Sequence, residues 1–277
     1  IKHKKGEKMH KTTRMNLALA GTVVALAVSG TAAFAAPLPT GWTSVGNSGT
    51  NTAADGDVTL APGFDSYQWI STYNGLSGVG LLPVGATGQE TNGSFAQTPT
   101  FSVNAGDKLN FYFNYITSDG AQYTEYAWAG LFSGVSTFDS YLFTARTTPS
   151  GNTVPGFELP GLASGVTLTP TATSIIAGAP NFSALGASSG SCYSDGCGYT
   201  GWIEMEYTFT TAGIYSLGFG VTNALDSSYQ TAFAIAGVTV NDVSINETPE
   251  PATLALLGLG LVGVGALRRR KEGQRAG

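Results

Sequence analysis

Histidine and positive charge are nearly missing from this chain. Its two histidines are His3 and His10, so residues 36–248 contain none. That excludes a Ser-His-Asp or Cys-His nucleophile system and any histidine-ligated metal site from this stretch. Lys108 and Arg146 are its only basic residues, against fifteen acidic ones, a formal charge of −13. The whole chain of 277 residues carries only −5, because the other basic residues lie at its two ends. An anionic body disfavours nucleic acid and anionic membrane as partners. One Lys and one Arg without a P-loop pattern also leave little for handling phosphate. Cysteine is scarce: Cys192 and Cys197 stand alone in CYSDGC. A close, even pair reads as a structural disulfide of an oxidising compartment. The alternative, a redox or metal pair, lacks both C-x-x-C spacing and further zinc ligands.

Long apolar runs occur only at the extremities. Lys11 and Arg14 precede an apolar run from Leu17 to Val28, and small residues then lead to Ala33-Phe34-Ala35. This is the pattern of a secretory signal peptide with cleavage expected before Ala36 by signal peptidase. The chain opens on Ile1, so Met9 or Met15 is read as the start and residues 1–8 as an artefact. At the other end, Pro249-Glu250-Pro251 is followed by the uncharged run Ala252 to Leu267 and then by Arg268-Arg269-Arg270-Lys271. As a helix, this run would reach about 24 Å, short of a bilayer core of about 30 Å. Glycines at 258, 260, 263 and 265 weaken it further, at roughly 1 kcal/mol each relative to alanine. A weak transmembrane helix suits a temporary span; a permanent tail anchor is the alternative. In either case the basic stop stays cytoplasmic and the bulk of the chain lies outside.

Tripeptide, short span and basic stop, in this order at the C-terminus, resemble the PEP-CTERM sorting signal of Gram-negative envelope proteins. The resemblance covers about a tenth of the chain. It implies transient membrane insertion, an exosortase as processing partner, and residence in the cell envelope, at the outer surface or outside the cell among exopolysaccharide or biofilm matrix. It implies nothing about what the protein does there.

The order of the chain is then a leader and signal helix at 1–35, an extracytoplasmic domain at 36–248 and the sorting segment at 249–277. The middle piece is long enough for one all-β domain. It shows short β-branched and aromatic runs divided by glycine-containing turns. Asp55-Gly56, Asn74-Gly75, Asn92-Gly93, Asp119-Gly120 and Asp195-Gly196 all read as turns. Two hairpins are predicted. In the first, Phe101–Val103 turns through Asn104–Asp107 into a strand whose Leu109, Phe111, Phe113 and Tyr115 face the core. A turn at 118–120 then returns the chain into 123–132. In the second, Ile203, Met205, Tyr207 and Phe209 face the core, and Thr211–Gly213 leads into 214–221. A last strand spans 231–245. The proline-rich stretch 148–198 reads as a long excursion with short strands.

This pattern predicts an all-β, antiparallel two-sheet sandwich of the jelly-roll type. The run from Trp202 to Val240 resembles the closing strands of galactose-binding-like jelly rolls, with Trp202, Gly213, Tyr215, Leu217, Phe219, Val221 and Asp226 in matching places. Ala236 stands where that pattern has an aspartate, which in related carbohydrate-binding modules helps to hold a structural calcium.

Three groups of residues could carry chemistry. Glu204 and Glu206 lie at i and i+2 on one strand face, about 6–7 Å apart. Paired carboxylates at such a distance are what glycoside hydrolysis uses. Polar residues on the solvent face of an antiparallel sheet are the commoner explanation. Tyr112, Asn114, Trp128 and Trp202 have the residue types that stack on and hydrogen-bond to sugars, although core packing explains aromatics equally well. Asp55, Asp57 and Asp226 could offer oxygens to calcium, but their setting suits turns and contains no EF-hand spacing. No cofactor is expected, calcium being the one ion that such acidity would admit. The reading is an exported, non-catalytic envelope or matrix protein with a capacity for binding polysaccharide. The alternatives are a secreted glycan hydrolase and a purely structural surface protein.

Overall fold

The structure is a computed structural model that describes residues 35–246. The signal helix, the transmembrane helix, Pro249-Glu250-Pro251 and the basic stop at 268–271 lie outside the described residues. Among the described residues, no helix is long and apolar enough to cross a membrane.

The first strands are β1 (Thr43–Val45), β2 (Asn47–Asn51), β3 (Tyr67–Ser71), β4 (Leu76–Ser77), β5 (Glu90–Gln97) and β6 (Phe101–Val103). Three long strands follow: β7 (Lys108–Thr117), β8 (Tyr126–Ser133) and β9 (Thr137–Arg146). The excursion contains β10 (Val166–Thr169), β11 (Ile176–Ala177), a 3-10 turn (Ser183–Ser188) and β12 (Gly198–Tyr199). The closing strands are β13 (Ile203–Thr208), β14 (Gly213–Ala224), β15 (Thr231–Val240) and β16 (Val243–Ser244). One sheet runs β10-β13-β7-β15-β3-β2 and the other β1-β5-β14-β8-β9, with the short strands at their margins. All named pairs are antiparallel. The two-sheet all-β sandwich expected from the sequence therefore forms.

The core lies between the sheets. Leu109, Phe111, Phe113 and Tyr115 are fully buried and point inward from β7, as their alternation predicts. Phe113 stacks on Phe143 of the facing sheet with ring centroids 3.9 Å apart, and Phe143 lies 4.8 Å from Phe233. Phe111 meets Phe219 edge-on at 5.7 Å, and Trp42 stacks on the same Phe219 at 5.6 Å.

Neither predicted hairpin is one. β6 pairs with β14 and β7 with β13 and β15, so the turn at 104–107 carries the chain from one sheet to the other. The 209–213 turn does the same between β13 and β14. The two crossings hydrogen-bond to each other: Gly106 N donates to Phe209 O (2.8 Å), and Phe209 N to Asp107 O (2.9 Å). The return into β8 also changes sheets. Alternation shows which face of a strand is buried, but not which strand lies beside it. The hairpin among the long strands is β8–β9, whose sequence lacks alternation because β8 is buried on both faces. Asn92-Gly93 is also no turn. It lies inside β5, where a side chain at 93 would strike the carbonyl of Val221.

Loops roof part of each outer sheet face, leaving the β10 and β13 margin of the larger sheet open. Tyr67, Trp69, Ile116, Ala232, Ala234 and Ala236 lie under Val58, Ala61, Phe182, Ala184 and Leu185. Tyr126, Trp128 and Tyr141 lie under Leu82 and Leu159. Ala236 is fully buried beneath the first roof, and the ring of Phe64 occupies the space where a side chain on Gly237 (φ 64°) would stand. An aspartate at 236 would lie among apolar side chains. Cys192 and Cys197 are joined, as the composition suggested.

Because Phe113 stacks on Phe143 across the sheets and also touches Phe111 and Phe233 of its own sheet, Phe113→Ala should cost about 3–5 kcal/mol of unfolding free energy. Urea denaturation measures it; a loss below about 1 kcal/mol would place the bridge elsewhere.

Candidate functional site

The carboxylate pair lies on the outward face of β13. Glu204 stands opposite Tyr112 of β7 and Thr169 of β10, and Glu206 opposite Asn110 and Thr167. Both are half-exposed. Glu206 accepts from Lys108 Nζ at 3.0 Å, the one ion pair among the described residues, with both side chains open to solvent. Tyr112 has its hydroxyl pushed up by burial and then by neighbouring Glu204. One rung of the ladder is thus tied to a lysine, and the other faces a tyrosine.

The aromatic candidates divide. Trp128 is buried, with Nε1 donating to Gly80 O at 2.8 Å and its ring edge-on to Tyr141. Asn114 is buried, and its Oδ1 accepts from Thr200 Oγ1 at 3.3 Å. Tyr112 leans on Phe64 at 5.9 Å. Trp202 donates from Nε1 to Thr59 O at 2.9 Å and meets Tyr67 edge-on. Trp128 and Asn114 therefore belong to the interior, and Tyr112 and Trp202 to the margin of the roof over the larger sheet. Trp42 and Trp69 are also buried, each with its indole N–H bonded to an asparagine oxygen.

The aspartates act as local ties. Asp55 accepts from Ser183 N and Oγ and from Asn51 Nδ2, and Asp57 accepts from Asn181 N at 2.7 Å. Together they pin the 181–183 segment to the 55–57 turn. Asp226 accepts from Ser228 N at 2.9 Å and closes its own turn. Among the described residues, no group of three or more acidic, cysteine or histidine side chains converges as a metal site.

A different surface has the character of a binding site, at the end of the sandwich where the loops around 72–77, 118–125, 192–196 and 225–230 meet. Tyr193 stands between Tyr123 (5.3 Å) and Tyr229 (5.1 Å), edge-on to both, and is 47% exposed. Beside them opens a cleft of about 550 Å³, lined by Tyr73, Asn74, Thr91, Asn92, Ser227 and Gln230 among others. The 225–230 loop joins the two features, contributing Tyr229 to one and Ser227 and Gln230 to the other.

The cleft is held by hydrogen bonds between its own amides and hydroxyls. Asn92 Nδ2 donates to Thr72 O (2.9 Å) and Thr72 Oγ1 to Gln230 Oε1 (2.8 Å). Gln230 Nε2 donates to Ser227 O (2.9 Å) and Ser228 O (3.1 Å). The Tyr123 hydroxyl is pushed up to about 12, first by its hydrogen bond to Tyr193, then by burial and by the charges of Asp226 and Asp119. Neither basic residue of the domain lines the cleft. Such a surface suits a ligand with hydroxyls and flat C–H faces, and repels anions. The sequence held one signal for it: Tyr193 and Tyr229 sit in polar, turn-forming loops, which lie on surfaces and do not bury aromatics readily. Their meeting in space depends on pairings that the sequence does not show.

Three cleaved adhesin domains of Lys-gingipain, two of them from Porphyromonas gingivalis, are similar in structure. The first is 13% identical over 72% of this chain and 92% of its own, with a TM-score of 0.32. The second is 14% identical over the same shares, with a TM-score of 0.34. The third is 15% identical over 75% and 93%, with a TM-score of 0.36. No curated protein matches the chain. Residues 247–271 match the family described as the PEP-CTERM protein-sorting motif. The chain thus carries a PEP-CTERM sorting motif at its C-terminal end, the mark of an exported, exosortase-sorted protein anchored or processed at the cell envelope.

Proposed function

We propose that this protein is a non-catalytic component of the outer surface or extracellular matrix that binds neutral polysaccharide at the loop end of a jelly-roll sandwich. The observation that carries the reading is the joining of a tyrosine trio, with Tyr193 exposed and Tyr123 and Tyr229 half-buried, to the amide-lined cleft by one short loop. Tyrosines offer faces for sugar rings, and the amides and hydroxyls beside them offer both donors and acceptors. The cleft's volume lies within the usual range for ligand sites of roughly 300–1,000 Å³. The sorting motif supports the setting, an exported protein at the cell envelope.

The jelly-roll reading has its own support in the strand order. Numbered one to eight along the chain, the long strands β3, β5, β7, β8, β9, β13, β14 and β15 stand as one-eight-three-six in one sheet and two-seven-four-five in the other. Two Greek keys folded together give this order. A non-catalytic role is supported by the setting of Glu204 and Glu206 on an open sheet face, one of them engaged by Lys108.

A glycan screen with the purified protein, run beside an assay of reducing-sugar release, tests the proposal. Binding without sugar release is expected. Tyr193→Ala should weaken binding about tenfold, the equivalent of ~1.4 kcal/mol, since exposed aromatics dominate such contacts. Glu204→Gln should leave affinity unchanged. Sugar release that disappears in Glu204→Gln would overturn the proposal in favour of hydrolysis. The absence of any glycan binding would favour a structural coat protein.

A further inference from the structure

Beneath the tyrosine surface lie two buried carboxylates that no step above uses. Glu125, at the start of β8, is fully buried, and Asp119, on the loop from β7, is 1% exposed. Glu125 Oε2 accepts from Thr117 Oγ1 (3.1 Å) and from Thr231 Oγ1 (2.6 Å). Asp119 Oδ1 accepts from the backbone N–H of Gly120 (2.7 Å). Their remaining oxygens, Glu125 Oε1 and Asp119 Oδ2, are buried without a hydrogen-bond partner. The two residues meet at Thr117, whose Oγ1 accepts from Asp119 N (3.1 Å) and donates to Glu125 Oε2 (3.1 Å).

A carboxylate cannot donate to a carboxylate, and two adjoining buried negative charges would repel each other in a medium that screens them poorly. A proton or a cation between them removes that repulsion. Arg146 does not fill that role. Its guanidinium sits over the Tyr126 ring, donates to Phe157 O and forms no ion pair with Glu125. Among the described residues, no third acidic ligand converges here to complete a metal site. A single proton satisfies both oxygens.

We propose that Glu125 and Asp119 share one buried proton, donated by the Glu125 carboxyl to Asp119, and that this proton ties the 118–125 loop, with Tyr123, to the body of the sandwich. The loop's other ties run to neighbouring loops and to the start of β15, with Tyr193 N donating to Ser118 O (3.0 Å) and Ser194 Oγ to Gln122 Oε1 (2.8 Å). Tyr123 N donates to Gly120 O (3.0 Å) and Ala121 N to Asp195 O (2.8 Å), while Ser118 bonds to Gln230. Loss of the proton therefore loosens the exposed tyrosine surface. The groups facing the pair all act in one direction or at a remove. Asp119 and Tyr115 face Glu125, with Arg146 beyond Tyr115. Asp226 faces Asp119, Tyr123 lies on the same loop, and Asp195 flanks it. Burial first, then the charge of Asp119, push the Glu125 carboxyl well above its ordinary value of 4.5, and burial also raises Asp119.

The sign follows from the raised folded value. The folded protein holds this proton more tightly than the unfolded chain does. The stabilisation is complete below the unfolded value near 4.5 and is lost as pH rises through the folded one. Melting of the full protein from about pH 5 to about pH 9 should show wild type losing several degrees more than Glu125→Gln, whose amide donates to Asp119 without titrating. Exchange of the Ala121 and Tyr123 amides should quicken with pH beyond base catalysis, relative to Phe113, in wild type only. Equal slopes in the two proteins would overturn the proposal. So would a calcium-dependent rise in melting temperature that Glu125→Gln abolishes, since a cation would then stand where the proton is placed. If Glu125→Gln does not fold, the carbon-13 carboxyl shift of Glu125 in wild type decides: titration in the ordinary carboxylate range refutes the shared proton.

Discussion

The stacking of Phe113 on Phe143 is the contact on which the rest of the architecture depends. Each ring belongs to a different sheet, and both reach Phe233. Around them Phe111, Phe219 and Trp42 continue an aromatic seam between the layers. Burial of such rings is worth more than any polar contact in the molecule, and edge-on and offset pairs add direction to it. With 11% of the chain charged, there is little else to hold two sheets in register. The single ion pair among the described residues is exposed and contributes at most about 1 kcal/mol.

The same scarcity of charge shapes the outside. A sandwich normally presents polar outer faces, but here β8 and much of β15 are apolar on both sides. Loops must therefore do the work of a third layer. The 55–64 and 180–188 segments cover one sheet, tied together by Asp55 and Asp57. The 80–84 and 157–162 segments cover the other, with the hydroxyl of Tyr141 held by the backbone of Val84. With the centre of each face roofed, the end of the sandwich is a place where loop side chains can meet a ligand. A cation-free surface of tyrosines and amides is the chemistry found there.

Much of this was legible in the sequence, for definite reasons. The alternation of Leu109, Phe111, Phe113 and Tyr115 fixes one face of β7, because a strand has a period of two. Strand pairing was not legible. The turn at 104–107 looks the same whether it closes a hairpin or crosses between sheets, and it crosses. β8 gave no alternating signal because it has no polar face. Trp128 and Asn114 looked like sugar-binding residues by type, yet both are buried, with Trp128 Nε1 bonded to Gly80 O and Asn114 Oδ1 to Thr200 Oγ1. Tyr193 and Tyr229 were available as loop aromatics, but nothing in their spacing of 36 residues indicates that they touch. Glu125 and Asp119 are ordinary acidic residues until burial makes them neighbours.

The PEP-CTERM motif places the protein at the envelope, and the sandwich gives it a rigid body there. What joins the two is the proposal that the loop end is a surface for polysaccharide. The most direct test is chemical-shift mapping of the isotope-labelled protein during titration with an oligosaccharide that it binds. The account predicts perturbations at Tyr73, Asn92, Tyr193, Tyr229 and Gln230, with the opposite crossings at 104–107 and 209–213 unmoved. Perturbations centred instead on Tyr112, Trp202 and Glu204, on the outer sheet face, would contradict it.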